Sequence, residues 1–226
     1  MKATDFELRH QTLLHMLVVG LAFASYAIAP DDIVWRIAKY SSHPHFLERS
    51  LFSFATLLIG AAAAICTWAR AYLEPHFTGS LSLIADDGPY CYPRYVRHLG
   101  ALLYAVGLGS LAPIPGFIIL VAGDVLLVYR LIRRTDELEQ TATSPEVRPR
   151  LPRLLPSLRP WFPAKGLFPN WKKAFRQESA KWGLFVTMII FTILLVDRVA
   201  DYLVLASLLL GLLLNLPSFT RSPEHL

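Results

Sequence analysis

This chain predicts an all-α fold: a polytopic membrane bundle of about six apolar helices, with a helical hairpin at residues 99–132. Three observations predict it. Apolar residues make up 54% of the 226 and charged residues only 17%, with a positive mean hydropathy. That balance belongs to membrane proteins rather than to one large soluble domain. The apolar residues gather in runs that approach the roughly 20 helical residues needed to cross a bilayer. The Lys and Arg behind the formal net charge of +5 crowd the connections beside those runs.

Residues 13–29 approach one crossing, and Pro30-Asp31-Asp32 stops it. No small-residue cleavage pattern stands at a convincing place, Ala27-Ile28-Ala29 being the nearest match, so this run is expected to be a retained span. A loop to Arg49 follows, with His43-Pro44-His45 inside it; two ligand-type side chains without a third nearby predict no metal site. Residues 51–68 form the second span. Its small-residue centre, Gly60-Ala61-Ala62-Ala63-Ala64, lets another helix approach closely.

A polar connection, 70–98, leads to a short apolar leg at 99–111, and Ala112-Pro113-Ile114-Pro115-Gly116 breaks that leg before 117–132 returns. The two legs therefore begin and end on one side. Asp124 inside the return leg is a site hypothesis by default, or a hydrogen-bond partner of a neighbouring helix. Residues 136–181 are soluble in character. Pro152-Arg153-Leu154-Leu155-Pro156 and Arg159-Pro160-Trp161-Phe162-Pro163 forbid a long helix and predict an extended segment hugging the surface. Trp171, Phe175 and Trp182 with Lys172, Lys173 and Lys181 form an interfacial lead-in to the last two spans, 182–196 and 202–216, joined around Asp197-Arg198. The organisation expected is a membrane core at 1–135, a cytoplasmic Pro/Arg-rich segment at 136–181 and a C-terminal helix pair at 182–226.

Basic residues beside apolar spans read as positive-inside topology and contact with anionic lipid, which argues against nucleic-acid binding. Of the 22 Lys and Arg, 18 lie on the side of the N-terminus, the 70–98 connection, the 130–181 stretch and the C-terminus, against 4 on the other. Both termini are therefore expected in the cytoplasm. Cys66 and Cys91 have no CxxC spacing and predict neither a disulfide framework nor a zinc site.

Two polar blocks interrupt the apolar sequence. The first, from Gly88 to Gly100, packs two arginines, one histidine and three tyrosines into one stretch; the second runs from Arg130 to Glu139. The hairpin between them predicts that both reach the same membrane face, across a cavity that binds a charged cofactor. Tyrosine faces suit an adenine ring or a sulfonium, the latter through cation–π attraction of about 0.5–2 kcal/mol. Arg94 suits a carboxylate. Arg133 and Glu137, at i and i+4, share one helix face; unassisted, they form an intrahelical ion pair worth about 0.3–0.5 kcal/mol. The rival readings are interfacial belt tyrosines, headgroup-anchoring arginines (Arg97 above all) and a structural His98 at a helix start.

These blocks resemble those of the isoprenylcysteine carboxyl methyltransferases and their prokaryotic phospholipid-methyltransferase-like relatives. That family carries Gly-Pro-Tyr-Arg-Tyr-x-Arg-His-Pro-x-Tyr-x-Gly before a helical hairpin, and an Arg followed four residues later by Glu after it. Gly88, Pro89, Tyr90, Tyr92, Arg94 and Gly100 match the first block without gaps, and Arg133 and Glu137 match the second. The likeness covers residues 50–160. It implies S-adenosylmethionine as cofactor, held by Tyr90, Tyr92, Arg94, Tyr95, His98, Gly100 and Glu137. Arg133 then faces the carboxylate of a lipophilic or lipid acceptor. No catalytic side chain is implied, since methyl transfer from a sulfonium to an anion disperses charge and is favoured by a water-poor, fixed geometry.

The chain also departs from the pattern. Cys91 stands in place of an Arg, Tyr95-Val96-Arg97-His98 in place of His-Pro-x-Tyr, Ser82 in place of a frequent His, and Asp136-Glu137 in place of a glutamate pair. A different class of function follows if catalysis has been lost: a membrane scaffold or lipid-binding protein of the same fold. A third reading is an NADPH-dependent membrane reductase, whose architecture is distantly similar.

Overall fold

The computed structural model describes residue 7 and residues 10–73, 88–92, 95–142 and 168–194, apart from the side chains of Thr12, Leu73, 138–142 and Leu194. Over these residues the chain is all-helical, with seven α-helices and nothing more strand-like than one isolated bridge, Asp32 with Pro113. The helices are α1 (Gln11–Ala24), α2 (Ile33–Ala38), α3 (Pro44–Leu73), α4 (Val96–Gly109), α5 (Ile114–Ala142), α6 (Trp171–Gln177) and α7 (Ser179–Leu194). The expected Pro-rich stretches between 152 and 163 and the last run at 202–216 lie outside the described residues.

Each helix boundary has a local cause. A 3-10 turn, Ser25–Ala27, closes α1 just before Pro30. Asp32 caps α2, its carboxylate accepting from the Trp35 amide at 2.6 Å. This short helix occupies part of what the sequence presents as loop. The second span is longer than its apolar run: α3 starts at Pro44, where a missing N–H costs nothing, and takes up the polar residues 44–50. The hairpin forms as expected. Pro115 falls in the first turn of α5 for the same reason that suits Pro44, and α5 then runs well past the apolar leg to Ala142. Asn170 caps α6 through the Lys173 amide at 3.2 Å.

Packing centres on α3, which carries α2, α4, α6 and α7, while α5 joins α4 to α1. One apolar core runs through the bundle, from Ala22 of α1 through Phe52 and Ile59 of α3 to Leu108, Leu120, Leu184 and Met188. The small-residue run of α3 acts as expected: a Cβ on Gly60 would stand 2.6 Å from the Phe185 ring of α7. On its other side α3 meets α4 at Gly100 and Gly107, where an added Cβ would lie 2.5 Å from Cys66 Sγ and 2.6 Å from Ile59 Cγ1.

Two stretches, Pro44–Tyr72 and Ile114–Glu137, are long and apolar enough to cross a membrane; α1, α4 and α7 are shorter apolar helices. A core helix of a soluble protein is mostly buried. Here only 44% and 33% of the two apolar windows are. Leu13, Leu17, Phe54, Leu57, Ile118, Leu126 and Ile193 all face outward from the bundle.

The bundle has two poles. At one, the Ile33 amide donates to the Ala112 carbonyl at 2.9 Å and the Tyr26 hydroxyl to the Leu111 carbonyl, so the α1–α2 connection sits on the hairpin tip. At the other lie the ends of α3 and α5 and the starts of α1, α4 and α7. Nine of the twelve described Lys and Arg belong to this second, polar pole; Arg36, Lys39 and Arg49 belong to the first.

Candidate functional site

The motif loop is built onto the end of α3. Gly88 takes φ 59°, a left-handed conformation that glycine adopts without penalty, and a Cβ there would meet the Tyr72 ring at 2.7 Å. The 3-10 turn Gly88–Cys91 follows, with Pro89, Tyr90 and Cys91 buried. Tyr90 packs with Ala69, Val96, Ile65 and Tyr72, and its hydroxyl donates to the Ala69 carbonyl at 3.2 Å. Burial pushes this phenol up to about 12, against the pull of the nearby Arg97 and Arg70. Tyr92 is half-buried, its ring 6.2 Å from that of Trp68.

Tyr95 points the other way. It precedes α4, and its ring is buried with Val128 and Ile132 of α5 and Leu102 of α4. Its hydroxyl donates to Asp136 Oδ1, so the first polar block hydrogen-bonds the second across the hairpin. His98, one turn on, meets the Tyr95 ring edge-on at 5.6 Å. The loop thus divides its tyrosines, with Tyr90 and Tyr92 on α3 and Tyr95 on α5. Gly100 seats the backbone of α4 against Cys66. Arg94 lies outside the described residues.

On α5 the expected Arg133–Glu137 pairing is replaced by an i,i+3 one. Glu137 Oε2 lies 3.8 Å from Arg134 Nη1, while Arg133 is exposed with its guanidinium 5.5 Å from the centroid of the Tyr129 ring. Arg130 pairs with Glu7 at 3.0 Å. Asp124, buried within the return leg, accepts from or donates to His15 Nδ1 of α1 at 2.6 Å, which realises the hydrogen-bond alternative weighed for it.

A second polar cluster at the same pole was not foreseen. Glu178, 2% exposed, sits between α6 and α7; Arg70 Nε of α3 reaches its Oε1 at 2.6 Å and Lys181 Nζ of α7 reaches its Oε2. Arg70 Nη1 also donates to Gln177 Oε1 at 3.1 Å, and the Lys181 ammonium stands 5.7 Å from the centroid of the Tyr104 ring. Trp182 Nε1 donates to Thr67 Oγ1 at 2.9 Å. Burial works to raise the Glu178 carboxyl, but Lys181 and then Arg70 outweigh it and hold the group below the usual carboxylate range. The signal was present in the sequence: between 172 and 181, Glu178 is the lone acid among four cations. Cations on both sides of the acid in sequence supply the pairing that a buried carboxylate needs, while its burial itself comes from the packing of α6 and α7 on α3. Trp182 and Lys181, expected in an interfacial lead-in, are instead inner contacts of the bundle, while Trp171 and Phe175 are about half exposed.

Comparison with known protein families, with curated proteins and with solved structures finds no match for this chain.

Proposed function

We propose that this is a multi-pass integral membrane protein, with both termini and the polar pole in the cytoplasm. In this reading it transfers a methyl group from S-adenosylmethionine to a small lipophilic or lipid acceptor carrying a carboxylate or similar nucleophile. The single observation that carries the reading is the Tyr95–Asp136 hydrogen bond, because a shared site needs both polar blocks at one place. Outward apolar side chains along α1, α3, α5 and α7 support the bilayer placement, with the runs at 182–196 and 202–216 supplying the last of six spans. The excess of cations at the polar pole supports its cytoplasmic orientation.

Within this reading Tyr92, Tyr95 and His98 border the cofactor, Glu137 takes its hydroxyl or amino groups, and exposed Arg133 meets the acceptor carboxylate. Transfer of tritiated methyl groups into membrane lipid extracts by the purified full chain tests it. The expected result is label in a lipid fraction and millimolar or tighter binding of S-adenosylmethionine. An absence of binding both of the donor and of its demethylated product ends the proposal.

One observation favours a second reading, a scaffold or lipid-binding protein of the same fold. The Tyr90 ring and hydroxyl and the Gly100 backbone are taken up by packing against α3. Lipid binding without cofactor binding in the same assay is the result this reading expects.

A further inference from the structure

Arg97, Gly100 and Tyr104 fall at i, i+3 and i+7 on α4 and share one face. That face meets α3 at Cys66, whose Sγ lies 3.9 Å from the Arg97 carbonyl, and Arg70 stands one helical turn beyond Cys66 on α3. Tyr104 at the far end of the face lies under the Lys181 ammonium. Three cations from three helices, Arg70, Arg97 and Lys181, therefore surround one junction, and Arg97 is near enough for its charge to act on Glu178 and Tyr90.

Among the described residues the charges at this junction do not balance. Glu178 is the one carboxylate that Arg70 and Lys181 share, and Arg97 is half-buried with no side-chain hydrogen bond or ion pair among the described residues. The arrangement is also layered. Glu178 is closed off at 2% exposure, whereas Arg70 and Lys181 keep 25% and 26% of their side chains open. The acid lies inside and the cations form an outer rim, three against one, so that two positive charges are uncompensated among the described residues. Partly desolvated cations in that state favour an anion that brings several acceptor oxygens to them.

We propose that the junction of α3, α4 and α7 at the polar pole is a binding site for the phosphate of an anionic lipid headgroup, with Arg97 as its principal ligand and Arg70 and Lys181 as its rim. The inference rests on the membrane placement proposed above and is independent of methyl transfer. Basic clusters between membrane helices on the cytoplasmic side suit such headgroups, with each cation contributing about five-fold in affinity.

Native mass spectrometry of the full chain from bilayers of mixed phosphatidylcholine and phosphatidylglycerol tests the site. Wild-type protein is expected to retain phosphatidylglycerol about twenty-five-fold over phosphatidylcholine, from two uncompensated cations. Arg97→Gln, which breaks no described side-chain bond, is expected to lower the preference about five-fold at unchanged melting temperature. Arg36→Gln at the opposite pole is expected to leave it unchanged. Equal retention of the two lipids, or an Arg36→Gln loss equal to that of Arg97→Gln, overturns the site. Displacement of the lipid by millimolar inorganic phosphate overturns the lipid assignment and makes the ligand an aqueous anion. Carbonate extraction keeps the two hypotheses apart: release of the chain from membranes refutes the bilayer placement itself.

Discussion

Glu178→Gln is the perturbation that most directly probes how the polar pole is held together. The substitution keeps the side-chain shape but leaves Arg70 Nε, 2.6 Å from one carboxylate oxygen, and Lys181 Nζ facing a neutral amide. Two unit charges about 4 Å apart interact by about 4 kcal/mol at an effective dielectric constant of 20. Removing one partner of a buried pair costs about 3–5 kcal/mol. Here both cations keep a quarter of their side chains exposed and regain water, which lowers the expected loss to about 2–3 kcal/mol. For a chain of this size that is a melting temperature lower by about 4–12 °C.

The pH dependence supplies an independent check. In the folded chain the Glu178 carboxyl lies below its unfolded value despite burial, because Lys181 and Arg70 favour its charged form. Its contribution is therefore complete above the unfolded carboxylate value of about 4.3 and lost as pH falls through the folded one. Thermal melts of wild type and Glu178→Gln in detergent should thus differ most near neutral pH and converge in acid. Equal melting temperatures at neutral pH, or a gap that persists unchanged in acid, refute the reasoning.

Gly100→Ala places a Cβ 2.5 Å from Cys66 Sγ, so a loss of about 1–3 kcal/mol is expected in thermal melts, largely recovered in the Gly100→Ala/Cys66→Ala double variant. His15→Ala strands the buried Asp124 carboxyl and is expected to cost about 1–3 kcal/mol; a double-mutant cycle with Asp124→Ala should show a coupling of at least about 0.5 kcal/mol. Tyr95→Phe removes the hydroxyl that joins the two polar blocks, for an expected loss of about 0.5–1.5 kcal/mol, and in a methyl-transfer assay should weaken donor binding more than Tyr26→Phe at the opposite pole.

Much of this protein was determined by local sequence. Apolar runs of the right length become helices, Pro113 and Pro115 turn the chain into a hairpin, and the spacing of 99–132 returns it to the pole it left. The arrival of both polar blocks at one pole follows from those facts alone, because a helix has a fixed rise and a proline break has a fixed place. The small-residue run at Gly60 announced a close neighbour for the same kind of reason: a missing side chain is a local property with a steric consequence.

Partners across helices are another matter, since they depend on helix rotation and on which neighbours meet. Within one helix the choice is local, and both Arg133 at i,i+4 and Arg134 at i,i+3 are within reach of Glu137, of which α5 uses the second. The division of the tyrosines between α3 and α5, the pairing of His15 with Asp124 across 109 residues, and the burial of Glu178 between Arg70 and Lys181 arise only when the helices pack. Periodicity places a residue on a face, but the face acquires a charge partner only from another element. The tertiary structure alone therefore decided which of the described polar residues at this pole are tied to one another, Glu178 to Arg70 and Lys181 and Tyr95 to Asp136.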